Sequence, residues 1–275
     1  MADLQGRIEE LWARREELDA ADGDVRATVH EAIDGLDRGE CRVAEIDAAT
    51  RDVTVNIWLK LAILLLFRIS NMETVDAAPF EYADKLPLKH GFAEAGVRAL
   101  PGASARWGSY LARGVVLMPS YVNIGAWVGA GSMVDTWATV GSCGQIGERV
   151  HLAGGVGIGG VLEPPNAVPV VIEDDAFVGS RCMVTGGARV GRGAVLGAGA
   201  FLDPSIPVID AETGQEISRG VVPPWSVAIR ASRRRDFPGG EFFVPCVLVI
   251  KRLTEGERHD KAQLNQVLRD HGAGV

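Results

Sequence analysis

From Val116 to Leu202 an aliphatic residue returns every six positions, and this period narrows the possible folds more than any other property of the chain. The series reads Val116, Val122, Val128, Val134, Val140, Ile146, Leu152 and Ile158, breaks at 164–171, and resumes as Ile172, Val178, Val184, Val190, Leu196 and Leu202. Four residues after most of these stands a small or apolar side chain, such as Ala126, Ser132, Ala138, Ala188 or Ala194. A period of six matches neither the 3.6 of a helix nor the 2.0 of a free strand. It suits a solenoid with three flat sides per coil, one hexad to a side. The aliphatic residue then points inward, the small one fills the space near a corner, and glycine serves corners that need a positive φ. Three hexads close a coil, so these fourteen hexads predict between four and five coils, stacked about 4.8 Å apart. The expected fold is mainly β, a left-handed parallel β-helix, an exception to the right-handed crossover rule.

The flanks have other patterns. Residues 1–95 read as a helical N-terminal domain: Leu4, Ile8, Leu11, Trp12 and Leu18 form one helical stripe, and Val25, Val29, Ile33 and Leu36 a second with Asp24 as its N-cap. Cys41–Glu45 and Asp52–Asn56 alternate like a small hairpin, and Ile57–Ile69 is apolar all round, as in a buried helix. The β-helix is assigned to 96–228 and a short β/α segment to 229–275. In that segment Phe242–Leu253 reads as strand and 261–269 as a helix able to cap the last coil, because a bare solenoid end exposes unpaired backbone.

Composition excludes several roles. A net charge of −8 argues against a general nucleic-acid binder. The longest apolar run, Leu61–Phe67, lies between charges and is far short of the ~20 residues a bilayer needs. The acidic N-terminus does not read as a secretory signal. Scattered cysteines (Cys41, Cys143, Cys182, Cys246) predict free thiols and a cytoplasmic protein. A metal hydratase on this scaffold needs three histidine ligands, yet only His151 lies in the repeats, so no metal is expected. His151 reads either as a base or as a polar corner residue. Asp135 fills the slot after Val134 where neighbouring hexads carry small residues, which puts a carboxylate on a coil edge.

The stretch Val134-Asp135-Thr136-Trp137-Ala138-Thr139-Val140-Gly141-Ser142-Cys143, continued by His151-Leu152 and by the glycine-rich run from Gly154 to Pro164, closely resembles the tetrahydropyridine-dicarboxylate N-succinyltransferases. So do Val116–Gly125, Val55–Lys60, Phe67–Ile69, and Ile209-Asp210 with Glu212–Gly214, so the likeness spans nearly the whole chain. The resemblance implies succinyl transfer from succinyl-CoA, a co-substrate rather than a bound cofactor, to the amine of ring-opened tetrahydrodipicolinate, on the route to diaminopimelate and lysine. It implies a homotrimer with sites between subunits, which would also cover Tyr121, Trp127 and Trp137. It assigns catalysis and substrate contact to Asp135 and a substrate carboxylate to Arg98, and donor contacts are expected at Arg181, Arg192, Gly197 and Arg233. One position departs: the family's glutamate in the segment after the proline loop is Met183 here, which cannot move protons. The alternatives are acetyl-CoA as donor and a non-catalytic trimeric relative.

Overall fold

The computed structural model describes residues 2–47, 49–77, 80–254, 267–272 and 274. His259 and most of the helix expected at 261–269 lie outside them; of that helix, 267–269 is described and is helical. Two-residue strands separated by turns climb three parallel ladders, so the hexads do build the three sides of a parallel β-helix.

Each face is conveniently named by one outward residue. The His151 face stacks Arg98–Ala99, Val116–Leu117, Met133–Val134, His151–Leu152, Phe177–Val178 and Val195–Leu196. The Met183 face stacks Ser104–Ala105, Tyr121–Val122, Thr139–Val140, Gly157–Ile158, Met183–Val184 and Phe201–Leu202. The Gln145 face stacks Tyr110–Leu111, Trp127–Val128, Gln145–Ile146, Val171–Ile172, Arg189–Val190 and Val221–Val222. Inward residues such as Val134, Val140, Ile146 and Leu152 are fully buried in one continuous core. Burial of each such side chain is worth roughly 1.5–3 kcal/mol.

The six-stranded faces make six coils, more than the four to five expected. The sides not counted are Arg98–Ala99, Ser104–Ala105 and Tyr110–Leu111 before the series, hidden by a phase change, and Val221–Val222 after it. Leu117, not Val116, points inward, and Ala105 and Leu111 precede it at the same six-residue spacing. Leu117 pairs with Val134 across the ladder while Val116 pairs with Met133. The next inward residue, Val122, follows after five residues, so the corner at Met118–Ser120 is one residue short. Small alanines and a changed phase hid these early hexads.

Beyond the coils, two hairpins extend the His151 face. Pro207–Asp210 and Glu216–Arg219 form a hairpin added to the His151 face. Ser226–Phe237 and Gly240–Arg252 form a long hairpin whose first strand continues that face by pairing Val195 with Val227. Here side-chain alternation was legible but the partner was not.

The helical head comprises α1 (Ala2–Ala13), α2 (Gly23–Arg38) and α3 (Ile57–Ile69), with the expected hairpin at Ala44–Ile46 and Val53–Val55. The N-cap of α2 is Asp22 rather than Asp24: its carboxylate accepts from the backbone N–H groups of Asp24 and Val25 at 2.9 and 3.3 Å. A cap must lie outside the helix to reach those groups, and Asp24 already sits in the first turn. The head docks on the corner between the Met183 and Gln145 faces, where Ile124 and Cys143 join its own core. Arg42 lies over the Trp127 ring at 4.6 Å and donates to Gln145 Oε1 at 2.6 Å, so Trp127 is partly covered within the chain. Lys60 on α3 is fully buried and donates from Nζ to the carbonyls of Val161 and Ala167, both at 2.6 Å. It therefore ties the head to the 161–170 excursion that interrupts the coils. Lys60→Met keeps the volume but strands two acceptors, at roughly 1–3 kcal/mol each. A fall in Tm of about 5–15 °C is expected by differential scanning calorimetry; an unchanged Tm would mean the tie carries no stability.

Candidate active site

Asp135 and His151 meet on one corner because the coils place them one rung apart. Met133–Val134 pairs with His151–Leu152, and Asp135 opens the corner that follows Val134. The corner closes through Ala138 N–H donating to the Asp135 carbonyl at 2.9 Å, with Trp137 at a positive φ of 61°. Asp135 Oδ1 accepts from the Thr136 N–H at 2.6 Å and from Thr136 Oγ1 at 3.2 Å. That leaves Oδ2 facing His151 Nε2 at 3.4 Å. Both side chains are about one-third exposed, 30% and 32%, which leaves them open to a ligand yet held. Partial burial pushes the Asp135 carboxyl upward, but the bonds from Thr136 and His151 outweigh it and hold it below the usual aspartate value. Asp135 is therefore a carboxylate at neutral pH.

The imidazole is set by its own column. His151 stands between Met133 and Phe177 in the ladder, and the Phe177 ring meets it edge-on at 5.2 Å. Thr136 and Phe177 were not singled out in the sequence. Thr136 had a signal, since a hydroxyl next to a corner aspartate can bond it locally. Phe177 had none, because the excursion hides its register with His151.

Arg98 begins the same outward column, two rungs below Met133, or about 10 Å along the stack. It is exposed and forms no ion pair with another described residue. Arg181 lies above Asp135 on the same corner column: the chain passes from Thr136 to Gly155 and from Gly154 to Arg181 by rung-to-rung hydrogen bonds. A Cβ at Gly155 would fall 2.8 Å from Arg181 Cδ, so that glycine makes room for the arginine stem. Arg192 stands on a different corner and pairs with Asp175 at 3.6 Å. Arg233 pairs with Glu216 at 2.9 Å on the hairpins. Gly197 is roofed by the last strands and the C-terminal helix, since a Cβ there would lie 3.2 Å from Ile229 Cγ2 and 3.4 Å from Leu268 Cδ2. Met183, on the next face, folds its thioether over Gly157 and is 44% exposed. Near the top of the corner, Gly199, Phe201, Arg230 and Cys246 help line a cleft of about 360 Å³. Among the described residues no group of three metal-ligating side chains comes together.

A three-sided hexapeptide coil with a carboxylate and an imidazole on one exposed corner defines a class, the hexapeptide-repeat proteins with a polar site on the coil edge. Comparison narrows it. Residues 3–69 match the model of the tetrahydrodipicolinate N-succinyltransferase N-terminal region, and residues 169–204 match the hexapeptide repeat of succinyl-transferase. The 2,3,4,5-tetrahydropyridine-2,6-dicarboxylate N-succinyltransferases of Methylobacterium sp. (strain 4-46) and Nitrobacter hamburgensis are each 46% identical, over 98% of this chain and 99% of theirs. The acetyltransferase domain of PglB from Neisseria gonorrhoeae, solved with acetyl coenzyme A, is 20% identical with a TM-score of 0.31, covering 49% of this chain and 51% of that one. The chain belongs to the 2,3,4,5-tetrahydropyridine-2,6-dicarboxylate N-succinyltransferase family.

Proposed function

We propose that the protein transfers the succinyl group of succinyl-CoA to the amine of ring-opened tetrahydrodipicolinate, in diaminopimelate and lysine biosynthesis in the cytoplasm. The observation that carries this reading is an ionised, half-open carboxylate on a coil corner, in a chain 46% identical to succinyltransferases over nearly its full length. An amine attacks a thioester only as the free base, and Asp135 is the group placed to take its proton. The nitrogen bonds to the thioester carbonyl carbon, the C–S bond breaks, and CoA leaves as the thiolate.

Arg98, which forms no ion pair among the described residues, offers its guanidinium to a carboxylate of the acceptor, for which its planar fork is suited. Arg181 serves the donor, with CoA running up the corner past Gly199 toward the cleft beside Arg230. Arg192 and Arg233 would contribute only by leaving Asp175 and Glu216, and Gly197 only through a shift of the strands above it. The working unit is a homotrimer of left-handed coils with sites between subunits. The 74% exposed Trp137 and the 45% exposed Phe201 supply apolar surface for such contacts. The helical head (1–95), β-helix (96–228) and C-terminal segment (229–275) then act as support, catalytic wall and cap.

CoA thiol release with 2-aminopimelate as acceptor tests this. Faster release from succinyl-CoA than from acetyl-CoA is expected; the reverse order supports an acetyltransferase, and no release from either a non-catalytic relative. Met183→Glu probes the missing carboxylate. With Asp135 sufficient, the change leaves the rate within about threefold or lowers it by adding an unpaired charge; a gain of roughly tenfold or more, the scale of acid–base assistance, would show that a second carboxylate was needed.

A further inference from the structure

We propose that His151 is a positioning residue for the transfer reaction: its Nε2–H holds the Oδ2 oxygen of Asp135, so that the remaining lone pair on that oxygen meets the acceptor amine. The proposal rests on the reading of Asp135 given above. The carboxylate has two oxygens, and the corner itself fixes only one. Thr136 donates twice to Oδ1, from its N–H at 2.6 Å and its hydroxyl at 3.2 Å. Oδ2 has a single described partner, His151 Nε2 at 3.4 Å. Without it the carboxylate would be held from the Oδ1 side alone, and a misplacement of 1 Å at a reacting group can cost on the order of 100-fold.

The imidazole is itself held so that it can do this. It stands between Met133 and Phe177 in the ladder, with the Phe177 ring edge-on at 5.2 Å. Those neighbours carry no charge, and among the described residues the titratable group that meets His151 is Asp135, while Asp135 meets Thr136 and His151.

Two variants separate positioning from packing. His151→Phe keeps an aromatic ring between Met133 and Phe177 but deletes the donor. His151→Gln keeps an N–H donor at about the reach of Nε2. His151→Phe should lower kcat for succinyl transfer roughly 10- to 100-fold, with KM for succinyl-CoA little changed, and His151→Gln should recover most of that loss. The bond from His151 lowers the Asp135 pKa, so its removal should also move the acid limb of kcat/KM to higher pH. In an Asp135→Asn background the same His151→Phe change should cost little more, because residues acting as one unit are not additive. Wild-type kcat and an unmoved acid limb in His151→Phe would overturn the proposal, as would full additivity with Asp135→Asn. Absence of succinyl transfer in the unmodified protein would instead strike at the function proposed above.

Discussion

Asp135→Asn is expected to lower turnover with succinyl-CoA by roughly 10²–10⁴-fold, the range for loss of a general base. The substitution keeps the size of the side chain and an oxygen able to accept from the Thr136 N–H, so the corner should persist. It removes the charge that receives a proton. Because Asp135 is held below the usual aspartate value, its loss should be felt throughout the neutral range rather than only near pH 4. Steady-state kinetics beside a melting curve will separate chemistry from folding. Near-wild-type turnover would move proton transfer away from this corner, whereas a collapse of Tm would mean that the carboxylate is chiefly structural.

Arg98→Ala should weaken acceptor binding by about 2–5 kcal/mol, the cost of removing a charge partner from a held carboxylate. Among the described residues this guanidinium forms no ion pair: it is exposed and stands at the foot of the His151 column. Its removal should therefore leave folding intact. Succinyl-CoA affinity should change little, because the donor is assigned to the other end of the corner, near Arg181. Calorimetric titration of 2-aminopimelate and of CoA into wild type and variant would read both. Equal weakening of the two ligands would place Arg98 outside the acceptor site.

The sequence carried the repeat unusually well, for a physical reason. A coil side admits one inward residue, so the aliphatic series from Val122 to Leu202 is a direct image of the core. Legibility failed where the coil departed from six. The short corner between Leu117 and Val122 shifts the phase, so the period puts Val116 rather than Leu117 inward and hides the coil of Ala105 and Leu111. The all-apolar α3 was plain from composition, but the buried Lys60 within it was not, since its partners are backbone carbonyls over 100 residues away. At the site, the edge position of Asp135 followed from its slot in the hexad. The stacking of Met133 on His151 follows from the same count, being three hexads, but the contact of Asp135 Oδ2 with His151 Nε2 does not, because it depends on side-chain torsions that the period does not describe. The pairing of Arg192 with Asp175 and of Arg233 with Glu216 likewise arises from strand stacking and from hairpins that the six-residue count does not describe. Trp127 looked like an exposed surface and is roofed by Arg42 of the head, a contact between segments with no shared pattern.

The most direct test of succinyl transfer at this corner is identification of the product. Wild-type protein supplied with 2-aminopimelate and equal amounts of succinyl-CoA and acetyl-CoA, analysed by mass spectrometry, should yield the N-succinyl product in large excess, and Asp135→Asn should yield almost none in the same time. A mainly N-acetyl product, or equal N-succinyl product from both proteins, would contradict the account.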